Sequence, residues 1–266
     1  MIFIAVKALL TPILVVLCAI ATRRWGEKVG GLLLGLPITS GPLSVFLFVE
    51  HGRGFAENSA RATLLGLLAA AAFCLSYSLI ANGRSWWLSL GVAGAVCLGS
   101  VALLSQVHLG LALSMGIVAV ILLLLASTSR DPRPAQPLSE RAPLARRQLA
   151  KRVVLASAIV VGITLSAGSL GPAAAGLLAP LPVLVALMAA SEHRRGDRVA
   201  AVGILHGAVL GLWGAAAFFG SVGLLLPEFG PLLTYTVATG AAIVAGVASQ
   251  GVPRVRRLVL VALAAH

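Results

Sequence analysis

Two side chains stand where an apolar sequence can least accommodate them. Arg61 and His206 each lie about a turn inside a long hydrophobic stretch, and each precedes a Leu-Gly-Leu triplet at a similar distance. Ionisable groups at such depth are costly and usually face the interior of a bundle. Arg61 could hold an anionic group bidentately, and His206 could titrate near neutral pH and couple transport to protons. The plainer alternative for Arg61 is to snorkel outward and pair with Glu57 at i−4. A second chemical cluster is Gly35-Leu36-Pro37-Ile38-Thr39-Ser40-Gly41-Pro42. Its prolines remove backbone donors, while Thr39 and Ser40 offer hydroxyls and the chain after Pro42 offers amides to an anion. Pro180-Leu181-Pro182 repeats the interruption later in the chain. Glu50-His51 and Glu192-His193 are further candidates, either as gate or proton-relay groups or as solvated helix ends. On segment nine, the Thr234, Tyr235, Thr236 and Thr239 group would line a polar path or satisfy itself across helices.

Enzymatic chemistry finds no comparable support. The sequence contains no CxxC, HExxH, GxSxG or Walker A pattern. No paired carboxylates or nucleophile–base set occurs at membrane depth, so no catalytic residue, metal site or cofactor is expected. Cys18, Cys74 and Cys97 all lie inside apolar stretches and read as small packing residues.

The elements that position these groups follow from composition. Of 266 residues, 59% are hydrophobic and 11% charged, and the mean hydropathy is +1.02. A soluble domain cannot hide that much apolar surface. Repeated apolar runs of membrane-spanning length predict an all-α, polytopic transmembrane bundle of nine to ten segments. The first five run at about 2–21, 30–49, 57–81, 86–104 and 108–127. A polar, proline-rich linker with seven basic residues follows at 128–152, then segments at 153–168, 171–190, 199–226 and 231–249. Residues 256–266 are too few to cross a hydrocarbon core of about 30 Å. The expected organisation is a first repeat at 1–127, the linker at 128–152 and a second repeat at 153–266.

The net charge of +12 does not point to nucleic acid, because the charges fall between apolar segments. Seventeen of the twenty Lys and Arg fall in alternate loops, Arg53, Arg61 and Lys7 being the others. The positive-inside rule then places the N-terminus outside and the linker in the cytoplasm. Arg23 and Arg24 follow the first apolar run, the reverse of a cleavable signal. Lys7 snorkels outward or pairs with Glu50. Trp86 and Trp87 beside Arg84 fit an aromatic belt at the cytoplasmic interface.

The two halves are related. Leu65–Phe73 reads LGLLAAAAF and Leu210–Phe218 reads LGLWGAAAF, identical at seven of nine positions. Val49-Glu50-His51 aligns with Ser191-Glu192-His193, so the offset runs from 142 to 145. An odd number of crossings per repeat inverts one half against the other, a layout recurrent in secondary transporters. Proline-interrupted segments two and seven, in matching places, point to a central site there.

Residues 4–100 or so resemble the GlpM-like family of small bacterial inner-membrane proteins. The resemblance rests on Lys7-Ala8-Leu9-Leu10 and on basic residues before Gly31-Leu32-Leu33. It continues through the proline-containing segment ending Glu50-His51-Gly52-Arg53-Gly54, and Arg61-Ala62-Thr63-Leu64-Leu65-Gly66. The resemblance implies an inner-membrane, envelope-related role and a fused, two-copy version of a short protein that pairs with itself. It transfers no catalytic residue. The five-plus-five layout is similar to that of the drug/metabolite transporter superfamily.

The expectation is therefore an alternating-access transporter of a small polar or anionic solute, with proton coupling one option. Its site would be lined by Pro37, Thr39, Ser40, Gly41, Pro42, Arg61, Pro180, Pro182 and His206. The alternatives are a flippase or scramblase for a lipid-linked precursor, whose headgroup would be the ligand, and a structural subunit of an envelope-polysaccharide complex. The lipid bilayer is the expected partner, nucleic acid is not, and self-association stays open.

Overall fold

The computed structural model describes residues 26–38, 40–107, 109–128 and 171–251, together with the single positions 13, 17, 20 and 154. Segments one and six, the linker, Thr39 and the C-terminal stretch expected at 256–266 lie outside the described residues. The described chain is helical: α1 (Glu27–Gly35), α2 (Ser40–His51), α3 (Arg53–Ile80), α4 (Trp86–Leu104), α5 (Leu111–Thr128), α6 (Val183–Arg194), α7 (Arg198–Leu225) and α8 (Pro231–Ser249). Residues 171–178 are helical and precede α6.

Six helical stretches in this part are long and apolar enough to cross a membrane: Val29–His51, Arg53–Ile80, Trp86–Leu104, Gly171–Arg194, Arg198–Leu225 and Pro231–Ser249. That is the composition of a multi-pass membrane protein. The apolar stretch Leu111–Ala126 is a shorter helix. The expected segment edges fall close to the observed ones, with the largest differences at the start of α3 and the end of α6. Helix α3 starts at Arg53 because Gly52, at φ 84°, turns the chain within a single residue after α2.

The bundle is organised around α3 and α7, the two 28-residue helices, whose small residues are largely buried. Each packs closely on the interrupted stretch from the other end of the chain. A Cβ at Gly31 would overlap the carbonyl oxygen of Ile204, and one at Gly35 would overlap that of Ala208. In the other half, a Cβ at Gly176 would overlap the Ser59 carbonyl oxygen, and one at Gly66 would lie 2.7 Å from that of Leu177. Without a hydrophobic drive between helices in lipid, such small-residue contacts let backbones approach and gain dispersion energy. Residue numbers rise together in both pairs, so each interrupted stretch runs parallel to the long helix it packs on.

The elements also recur in length. Helices α3 and α7 have 28 residues each and begin at 53 and 198, an offset of 145. Helices α4 and α8 have 19 each and begin at 86 and 231, again 145 apart. Helices α2 and α6 have 12 each and begin at 40 and 183, 143 apart. Gly26 and Gly171, both with positive φ, are 145 apart and open the interrupted stretches.

Candidate functional site: a cleft at the first helix interruption

Helix α1 stops at Gly35 because two prolines follow within seven residues. Leu36 leaves helical geometry at ψ 156°. The Ile38 amide bonds the Leu36 carbonyl at 2.7 Å, and the Gly41 amide reaches Pro37 O at 2.7 Å before α2 resumes. Neither Pro37 nor Pro42 can donate, so the Leu33 and Ile38 carbonyls lose the amides that a continuous helix would give them. The second interruption behaves differently. Pro180 and Pro182 withhold donors from Gly176 and Leu178, yet the Ala179 amide bonds Gly176 O at 3.2 Å and the Leu181 amide bonds Leu178 O at 3.1 Å. Shortened i+3 bonds thus repair the later break.

A cleft of about 480 Å³ opens at the first interruption. Leu36, Pro37, Ile38, Gly41, Pro42, Val45 and Phe46 form one wall; Phe218 of α7 and Tyr235, Thr239, Ala242 and Ile243 of α8 form the other. Its size suits a small organic molecule, and its described lining carries no charged side chain. Val45 and Ile243 are among the chain's exposed apolar residues, so the rim faces the surroundings of the bundle. The polar groups are few and engaged. The Tyr235 hydroxyl donates to the Ser44 carbonyl at 3.0 Å and lies 3.1 Å from the Ser44 hydroxyl. Thr239 donates to the Tyr235 carbonyl at 2.7 Å. Thr234, which does not line the cleft, is fully buried and its hydroxyl has no partner among the described residues.

Of the residues nominated from sequence, Pro37, Gly41 and Pro42 line this cleft. Ser40 is buried at the start of α2, and Thr39 lies outside the described residues. Arg61, Pro180, Pro182 and His206 are not among the lining residues. Arg61 donates to Glu57 Oε1 at 2.5 Å with 43% of its side chain exposed, the i,i+4 pair that its spacing allows. Thus the structure joins the first proline break to a cavity but does not gather Arg61, His206 and the second break around it.

The two Glu-His pairs also diverge. His51 is exposed and stacks on Phe55 with ring centres 4.4 Å apart, beside an exposed Glu50. His193 is only 7% exposed, and its Nδ1 lies 3.3 Å from the fully buried Tyr77 hydroxyl. Next to it, Arg194 sits 5.6 Å from the Trp86 ring centre. Glu192 lies 3.8 Å from Arg195. Sequence reading missed Ser44, Phe218 and the Tyr77–His193 bond. Ser44 and Tyr235 are 191 residues apart and Tyr77 and His193 are 116 apart, so spacing gives no clue to either pair.

Comparison with protein-family models, with curated proteins and with solved structures finds no match.

Proposed function

We propose that this chain is a secondary transporter in the bacterial inner membrane, built as an inverted repeat and working by alternating access through the cleft at Pro37–Pro42. The observation that carries the reading is the cleft itself: a cavity of about 480 Å³ meets a helix interruption between apolar spans. Interrupted helices beside a cavity are the recurrent site architecture of such carriers.

The recurring lengths and the 145-residue offset support a duplicated fold. Inversion is supported by direction. The stretch before His51 runs parallel to α7, as the rising register of Gly31 and Gly35 against Ile204 and Ala208 indicates. Gly52 turns the chain back into α3. Helix α3 therefore opposes its repeat mate α7. The loop charges orient the molecule with its N-terminus outside and linker 128–152 in the cytoplasm, which sets the cleft in the outer half of the bilayer.

An apolar lining fits an amphipathic substrate better than a compact anion. Such a substrate has an apolar body and a hydrogen-bond donor, for which the Ile38 carbonyl at the break is an acceptor. Arg61, nominated for anion binding, is engaged with Glu57 instead. The rim toward Val45 and Ile243 favours a second reading, a flippase for a lipid-linked precursor. The GlpM-like resemblance, with its envelope association, agrees with that second reading.

Reconstitution into liposomes tests both. Uptake of hydrophobic cations, amphipathic amines and organic acids would be measured beside flip of a fluorescent lipid. Flux in either arm should fall on Gly41→Leu, since a side chain there meets the Phe218 ring 3.4 Å away. Absence of flux in every arm would sink the reading.

A further inference from the structure

The cleft has a counterpart that is closed. Applying the repeat offsets to its walls takes Ile38, Pro42 and Val45 to Leu181, Val185 and Met188. It takes Phe218, Tyr235 and Ala242 back to Phe73, Leu90 and Cys97. These six residues pack in one hydrophobic cluster, in which Val185 and Met188 of α6 are 4% and 7% exposed, whereas Val45, the counterpart of Met188 on α2, is 37% exposed.

The contacts that hold the interrupted stretches to the long helices do not share this asymmetry. The Gly31–Ile204 contact maps onto Gly176–Ser59, and Gly211–Leu32 maps onto Gly66–Leu177, each residue moving by 145. The framework is thus alike in both halves. What differs is the rod after each interruption: α6 packs on α4, whereas α2 meets α8 through Ser44 and Phe48 against Tyr235 and leaves the cleft between them. The closed end carries two ties, Tyr77–His193 and Arg194–Trp86. At the open end Pro231 holds the place of Trp86, and Arg53 donates to the Pro227 carbonyl at 3.1 Å beside the Ser44–Tyr235 bonds.

We infer that the cluster of Phe73, Leu90, Cys97, Leu181, Val185 and Met188 is a second substrate cleft in its closed form, opening toward the opposite membrane face as the first closes. The inference rests on the transport reading, and it deepens that reading by naming the residues exposed when the first cleft is shut. Two like frameworks with unlike rods interconvert when the rods exchange their packing, at little cost to the glycine contacts. Substrate of the same amphipathic class would leave past Cys97, because that surface is the repeat image of the one it enters.

Cys97 serves as a native reporter. In a Cys18→Ser/Cys74→Ser background, labelling of Cys97 by a water-soluble methanethiosulfonate is followed in proteoliposomes. A second protein carries Cys97→Ser and Thr239→Cys in that background, position 239 being an exposed part of the cleft lining. The position-239 thiol should label fast and Cys97 slowly. Adding Tyr77→Phe removes one hydrogen bond from the closed end, so Cys97 labelling should rise about fivefold and labelling at 239 should fall. A rise at Cys97 without a fall at 239 would mean local loosening and overturn the inference, as would no change at either site. The outcome is read without any substrate. Reciprocal labelling without flux would therefore condemn the transport reading alone, and flux without reciprocity the second cleft alone.

Discussion

At the scale of single residues, the glycines divide by what surrounds them and not by where they sit in sequence. Gly31, Gly35 and Gly176 face carbonyl oxygens of a neighbouring helix, whereas Gly94 and Gly116 have nothing within 4 Å of a built Cβ. Alanine at Gly35 or Gly176 should destabilise the purified protein by roughly 1–3 kcal/mol, since two backbones must separate. Alanine at Gly94 or Gly116 should be close to neutral, and thermal unfolding in detergent separates the two groups. Arg61 gives the opposite lesson. It is an i,i+4 partner of Glu57 with much of its side chain exposed, so Arg61→Gln should cost less than about 1 kcal/mol. A loss of substrate affinity on that change, with stability intact, would assign it to the site. The sequence made Arg61 conspicuous because charge in an apolar run is rare, but rarity does not say which way a side chain turns.

At the scale of elements, spans were legible and their mutual packing was not. Helices α4 and α8 coincide with the apolar runs at 86–104 and 231–249, because composition alone sets where a chain can cross lipid. Helix α1 ends at Gly35 and α2 begins at Ser40 around Pro37, for proline chemistry is local. Which helix covers an interruption is a long-range matter. Nothing near Pro37 announces Phe218 or Tyr235, and the different fates of the two breaks depend on whether i+3 bonds re-form. Two predictions belong here. Pro37→Ala restores an amide to the Leu33 carbonyl, so it should stabilise the protein by about 1 kcal/mol while lowering flux through the cleft. Tyr235→Phe removes the bond to Ser44 across the cleft wall and should destabilise by a similar, ~1 kcal/mol, amount. Thermal unfolding and liposome flux, measured on the same preparations, check both.

At the scale of the whole molecule, the halves are not independent bodies. The stretch containing Gly31 packs on α7 and the stretch containing Gly176 packs on α3, so each half seals the other. Residues 1–127 and 153–266 produced as separate chains should each be lost to degradation, and should co-purify when produced together. Recovery of either half alone as a folded monomer would contradict this. LGLLAAAAF and LGLWGAAAF lie on the two 28-residue helices that the other elements use as a packing surface. The crosswise arrangement was not readable, because a repeat in sequence says that two units are alike and is silent on whether they swap partners.

That crosswise packing has a consequence for how the protein is made. A ribosome delivers Gly31 and Gly35 to the membrane long before it has synthesised Ile204 and Ala208, which they are shaped to meet. Until then the glycine face borders lipid, and it does so at small energetic cost, since lipid tails are as apolar as the side chains that later replace them. The interrupted backbone at Pro37 is less tolerant, for its freed carbonyls find no donors in hydrocarbon. The nascent first half should therefore depend on an insertase or membrane chaperone until α7 emerges. Stalling translation at the linker should leave an intermediate that a site-specific photocrosslinker at Gly41 traps against such a factor.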